Sequence, residues 1–300
     1  MKRINLIGFL LLFLCLAAAV FYSVVRAQQG DDATRKLWDT AYIANNKTST
    51  KRRARTYRIA TPKVPINDVS PDSVVGVTLW RLRSATPRDS GERIIVHDDS
   101  DAKEYLPERI SPETKLGQGD KLRISVEGAR DGYLYVIDRE QYADGTVGPP
   151  YLIFPTTRTL NGDNKVTVGM LTEIPAQVDS PPYFTLRKSR PDHVAEVLSV
   201  LVAPKPLEGI TVTDKAQQLT NEQVAGWEKQ WNSGVGFLEM GQAAGQAWTK
   251  EERDAAGTRA LTPLAPAPQL VFYRTAALAS QPMLVKLQLW YRTPAKRTHH

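Results

Sequence analysis

KLRISVEGARDGYLYVID, residues 121–138, decides the fold class. In its first half Leu122, Ile124 and Val126 alternate with Arg123 and Ser125. A period of two belongs to a strand, and this one predicts a sheet with one face in a core and the other in water. Asp131-Gly132 carries turn chemistry. Tyr133–Asp138 then runs apolar on both faces, which predicts a central strand. Tyr133, Tyr135 and Ile137 share one face; Leu134 and Val136 share the other. Paired aromatics can stack on a sugar or a base, but within an apolar run they read as core.

Outward from this stretch the same period recurs. Val74–Arg83, Arg93–His97, Thr172–Pro175, Tyr183–Arg187, Glu196–Val202, Leu270–Arg274 and Leu284–Arg292 all read as strands, and Tyr151–Pro155 as the hairpin partner of Tyr133–Asp138. The last strand sets Val285, Leu287, Leu289 and Tyr291 on one face. Turn residues between the runs predict a mainly β fold, an antiparallel β-sandwich or open barrel. One segment departs from it. Thr220 can cap the Gln223 amide, Gln223 can reach back, and Leu219 and Val224 have staple spacing. Val224, Trp227 and Trp231 then form a helical stripe, with Gly234 as terminator. Thr249 and Glu252 open a second short helix. Residues 214–268 therefore read as a helical insertion in one β-rich domain at 71–292, followed by a basic tail at 293–300.

The chain begins with Lys2 and Arg3, then an apolar run from Leu6 to Val25 and a Val25-Arg26-Ala27 junction. This is the pattern of a secretory signal at 1–27, or of an anchor if it is retained; only then is membrane contact expected. Leu12-Phe13-Leu14 ahead of Cys15 does not suit lipidation. Cleavage would remove the one cysteine, and with it thiol catalysis, thiolate-bound zinc and disulfides. It would also lower the net charge by three (Lys2, Arg3, Arg26), from +7 to +4. Residues 28–70 read as an exposed leader, in which Lys51, Arg52, Arg53, Arg55 and Arg58 form a basic patch around Tyr57. Such a run suits an anionic envelope polymer or a solvated linker. The mild overall charge and the export pattern leave no expectation of nucleic-acid binding.

Catalytic motifs are sparse. There is no Gly-x-Ser-x-Gly elbow, no phosphate loop and no dinucleotide fingerprint, so no catalytic residue and no cofactor is expected. His97, His193, His299 and His300 are scattered, and no metal is expected from them. Asn161–Asn164 and His97–Asp101 offer oxygen ligands but lack an ordered calcium loop, and read as turns. Asp138, Arg139, Glu140, Tyr142 and Asp144 lie at the end of the central strand, in what reads as a long loop to Pro150. Two carboxylates there could act as acid and base, yet nothing constrains their spacing. That loop is the first candidate binding surface.

LGQGDKLRISV (116–126), DGYLYVID (131–138), LIFP (152–155) and Ile174-Pro175 together resemble the bacterial domain of unknown function numbered 4384, over about Val74–Leu207. The resemblance implies a compact β-rich module, often joined to other exported or signalling parts. It implies no activity and assigns no catalytic residue. The expectation is thus an exported, non-enzymatic module that binds a protein or envelope component. The alternatives are anionic polymer binding through the basic leader, and an unrecognised hydrolase. A deep pocket lined by acids or histidine with shifted pKa values would favour the hydrolase.

Overall fold

The computed structural model describes residues 69–98, 101–240, 244–261, 266–275, 278 and 280–293. The expected signal, the basic patch Lys51, Arg52, Arg53, Arg55 and Arg58, and the tail beyond 293 lie outside the described residues. The fold is mainly β, with antiparallel sheets of eight and six strands.

In the larger sheet β1 (Val69–Ser84) is the spine. One side of it pairs with β4 (Lys121–Gly128). The other side pairs first with β13 (Leu270–Thr275) and then with β3 (Asp101–Arg109). β12 (Gly236–Glu239) and β2 (Ile94–Asp98) extend this sheet, and β8 (Leu171–Ile174) and β9 (Phe184–Thr185) pair with β4. The smaller sheet runs β11 (Gln217–Gln218), β6 (Tyr151–Phe154), β5 (Gly132–Tyr142), β10 (His193–Ala203), β14 (Met283–Trp290), with β7 (Lys165–Val166) also on β5. Tyr133–Asp138 is therefore central, and Tyr151–Phe154 is its antiparallel neighbour, as the apolar runs required.

The inner faces meet in one core. Val75, Val77 and Leu79 of β1 and Leu122, Ile124 and Val126 of β4 pack toward Leu134 and Val136 of β5, Leu198, Val200 and Val202 of β10, and Val285, Leu287 and Leu289 of β14. Gly132 lets β5 come close to β10, since a Cβ there would lie 2.6 Å from the Ala203 carbonyl oxygen. The outer face of the smaller sheet carries Tyr135, Ile137, Leu201 and Leu284, packed against helix α1 (Asn221–Trp231) through Val224, Trp227 and Trp231. Thr220 accepts from the Gln223 amide at 3.1 Å, so the cap forms, and Leu219 and Val224 are both buried as a staple needs.

Three expectations need correction. The outer face of the larger sheet is not wet: Arg123, Ser125 and Glu127 are buried. Trp248 and helix α2 (Lys250–Thr258) cover it, joining Trp80, Leu82 and Tyr105 in a second core. Alternation of apolar and charged residues reports two different environments, and here the second is a buried polar layer. In it the Arg123 guanidinium hydrogen-bonds Glu173 and the Pro175 carbonyl, and Arg109 donates to Glu252. Secondly, residues 214–268 are not purely helical, because β11 and β12 within them join one sheet each. Thirdly, the stretch from Asp138 to Pro150 is not a long loop. β5 continues to Tyr142, and a tight turn follows in which the Tyr142 amide donates to the Thr146 carbonyl at 2.9 Å. β3 was not foreseen at all, since Pro107 and five charged residues obscure its period; beyond Tyr105 it pairs with β1 on one side, and on the other Glu108 bridges Ala247 and the Trp248 amide donates to the Pro107 carbonyl at 2.9 Å.

Candidate functional site

The period of two that builds the core does not stop where the apolar residues stop. On β5 the inward positions run Leu134, Val136, Asp138, Glu140. On β10 they run Val202, Val200, Leu198, Glu196, with Glu196 directly across from Glu140 and Leu198 across from Asp138. The two strands therefore deliver three carboxylates to one end of the space between the sheets. There they border a cavity of about 240 Å³. Its walls include Leu79, Leu122, Ile124, Phe184, Leu198 and Leu289, and Thr185 and Arg187 lie at its solvent-exposed rim.

The carboxylates differ in their partners. Glu140 Oε2 accepts from the Tyr142 hydroxyl at 2.8 Å and from Ser189 Oγ. Glu196 is 6 % exposed, and its Oε1 accepts from the Tyr291 hydroxyl at 2.7 Å. Its Oε2 is sealed from solvent and accepts no hydrogen bond; the same holds for Asp138 Oδ1. His193, fully buried, stands beside them with Nε2 3.3 Å from Glu196 Oε2 and Nδ1 3.8 Å from Glu140 Oε1. The Ser189 amide donates to Nδ1 at 3.4 Å, which puts the ring proton of a neutral imidazole on Nε2, and that proton faces the Ala195 carbonyl at 3.0 Å. The ring is wedged edge-on between Tyr142 and Tyr291.

Burial dominates the electrostatics. It pushes the Asp138 carboxyl up to about 8, helped by the neighbouring charges of Glu196 and Glu140 and opposed by the Arg139 amide and His193. It pushes Glu196 up to about 7, with the Tyr291 hydrogen bond opposing and Glu140 adding to the rise. Tyr291 is driven far above the ordinary phenol range, first by burial and then by its bond to Glu196. Near neutral pH the Asp138–Glu196 pair thus retains a proton, since like charges in a low dielectric resist joint ionisation.

Of the residues singled out in the sequence, Asp138 and Glu140 come together in this site and Tyr142 braces it. Arg139 points away, donating to the Gly148 carbonyl at 3.3 Å and to Asn221 Oδ1 at 2.9 Å. Asp144 sits at the hairpin tip and accepts from the Thr146 amide and hydroxyl, bonds that hold its carboxyl below the usual range. Glu196, His193 and Tyr291 were missed as site residues. The signal was present: a strand that alternates cleanly and then places an acid at its next inward position. Asp163, in one of the oxygen-rich stretches, is used by an ion pair to Arg259 at 3.1 Å. Among the described residues no three of His, Cys, Asp and Glu gather as a metal ligand set.

Among the described residues no hydroxyl nucleophile is assembled at this site. A serine nucleophile needs its hydroxyl on a basic ring nitrogen. Ser189 instead bonds a carboxylate, and His193 Nδ1 is occupied by an amide. The arrangement suits the holding of a donor or a positive charge at the polar end of an apolar cavity. No family model matches the chain, and no curated protein or solved structure does.

Proposed function

We propose that this chain is an exported, non-enzymatic β-sandwich module that binds its target through the cavity between its sheets. The observation that carries the reading is the convergence of Asp138, Glu140 and Glu196 at one end of an otherwise apolar cavity. A mostly apolar pocket with a few converging polar groups is the usual form of a small-ligand site. The export part rests on the charged start and the apolar run Leu6–Val25. The target is a small group from the cell envelope or carried by a protein. Replacing Leu198 by Trp should fill the cavity. The expected result is that small ligands which raise the wild-type Tm in a screen leave the Leu198→Trp protein unmoved. Ligands that stabilise both proteins equally would refute binding in the cavity.

One observation favours a second reading. Acids held above their ordinary range in a cavity are also the mark of proton-transfer chemistry. Turnover of ester or glycoside substrates, abolished by Asp138→Asn, would replace the binding module with a hydrolase.

A further inference from the structure

One edge of the molecule is a strand short, and this feature is independent of the cavity reading above. β14 ends the smaller sheet, with β10 on one side and, among the described residues, no strand on the other. In an antiparallel ladder alternate residues turn their main-chain groups away from the neighbour. The Leu284 carbonyl accepts from Asn232 Nδ2 at 2.9 Å and the Trp290 carbonyl from the Leu116 amide at 2.8 Å, so the outward set is Leu284, Lys286, Gln288 and Trp290. Both ends of that set are covered. Between them the main-chain N–H and C=O groups of Lys286 and Gln288 meet no partner among the described residues. The larger sheet reaches past this edge. Phe237 of β12 stands across from Phe272 of β13 on the inner face, with ring centroids 5.6 Å apart, and Phe237 is 40 % exposed. The two rings, Leu270 and the β14 edge border a groove of about 340 Å³. An apolar floor beside a bare main-chain edge is the form of a strand-addition site.

We infer that the groove takes a strand from this chain's own leader, residues 55–61, paired antiparallel to β14 with Tyr57 and Ile59 over Phe237 and Phe272. The place where the leader joins the larger sheet carries the choice. Val69 pairs with Thr275, and Arg274 donates to the Pro282 carbonyl at 2.9 Å, so the leader arrives beside the start of β14. A strand that ends there runs along the edge from Trp290 toward Lys286, against β14. The eight steps from Thr61 to Val69 reach about 26 Å. The path needs about 10 Å along β13 and about 10 Å between the sheets. Tyr57 and Ile59 are the apolar pair of strand period nearest β1 with no proline between them; Val64 and Ile66 flank Pro65, which has no N–H to give. Glu113, exposed at the groove's rim, offers an acid to Arg55. A second copy fits worse, because in a two-fold pairing of β14 edges each larger sheet would project into the space of the other. The tail 294–300 has no large apolar side chain to lay on the rings.

Hydrogen exchange of the Lys286 and Gln288 amides, followed by NMR on the full chain, tests the assignment. Both amides should exchange at least tenfold more slowly in the wild type than in a Tyr57→Asp, Ile59→Asp variant, at rates that tenfold dilution does not change. The β5 amides should be unmoved in that variant and report an intact fold. Tyr57→Phe with Ile59→Val should keep the protection. A second variant, Phe237→Ser, removes the floor instead of the strand and should speed the same two amides. Fast exchange in the wild type would overturn the proposal, as would slow exchange that survives in both the Asp variant and Phe237→Ser. Slow exchange that is lost on dilution would overturn it in favour of a second copy.

Discussion

At the scale of single residues, Asp138 and Glu196 link stability to pH. Each is raised above its unfolded value by burial, so the native state holds protons that the unfolded chain releases. Their contribution is fully present below about pH 4 and is lost as pH rises through 7 to 8. The urea midpoint should therefore fall between pH 5 and 9, and the Asp138→Asn, Glu196→Gln double variant should fall less. At pH 9 that variant should be the more stable by on the order of 2 kcal/mol. A residual slope is expected from Glu173, which burial also raises to about 7 against the pull of Arg123. An unchanged slope in the double variant would place the titration elsewhere. These acids were readable in part. Asp138 and Glu140 drew notice as a pair near a strand end, but reading the strand as ending at Asp138 turned them toward water. Four more strand residues, through Tyr142, keep them facing inward.

Helix α2 shows why an element can be legible while its setting is not. Its capping box, Thr249 with Glu252, is complete, and the side-chain types alone announced it. The same Glu252 also receives Arg109 from β3, whose guanidinium lies 5.0 Å from the centroid of the Trp80 ring. That second role spans 143 residues of sequence and no local pattern carries it. Arg109→Met should destabilise the protein by about 3–5 kcal/mol, because it leaves a buried carboxylate without its partner. Arg109→Met combined with Glu252→Gln keeps the cap and removes the stranded charge, so it should recover much of that loss. Chemical denaturation of both variants measures the difference; a double variant as unstable as the single would show that packing, not charge, governs this layer. The strands fared similarly. Val74–Arg83 and Leu284–Arg292 announced themselves by period, but whether their outer sides met water, helix α2 or helix α1 depended on distant chain. Arg123 is the clear case, charged and outward in its strand yet 1 % exposed.

At the scale of the molecule, the order of pairing along the chain sets how the fold can be assembled. β1 receives β13 from roughly 200 residues later, and β10 receives its outer neighbour β14 only after that. Strands of the middle stretch supply most of the smaller sheet, whereas the larger sheet needs both early and late segments. A chain cut after Pro268 should therefore lack one neighbour for β1 and one for β10, and bare strand edges promote aggregation. Expression of that truncation should yield insoluble protein, while the full chain remains soluble; a soluble, cooperatively melting truncation would show that the two sheets fold independently. The pairing of β1 with β13 has a kinetic meaning as well. Until synthesis has passed residue 275, the earliest strand waits without its late neighbour, so the larger sheet cannot close before then. A chain that completes itself so late spends its growth in a pliable, unlocked state, the form in which a polypeptide can still be threaded or handed to a chaperone.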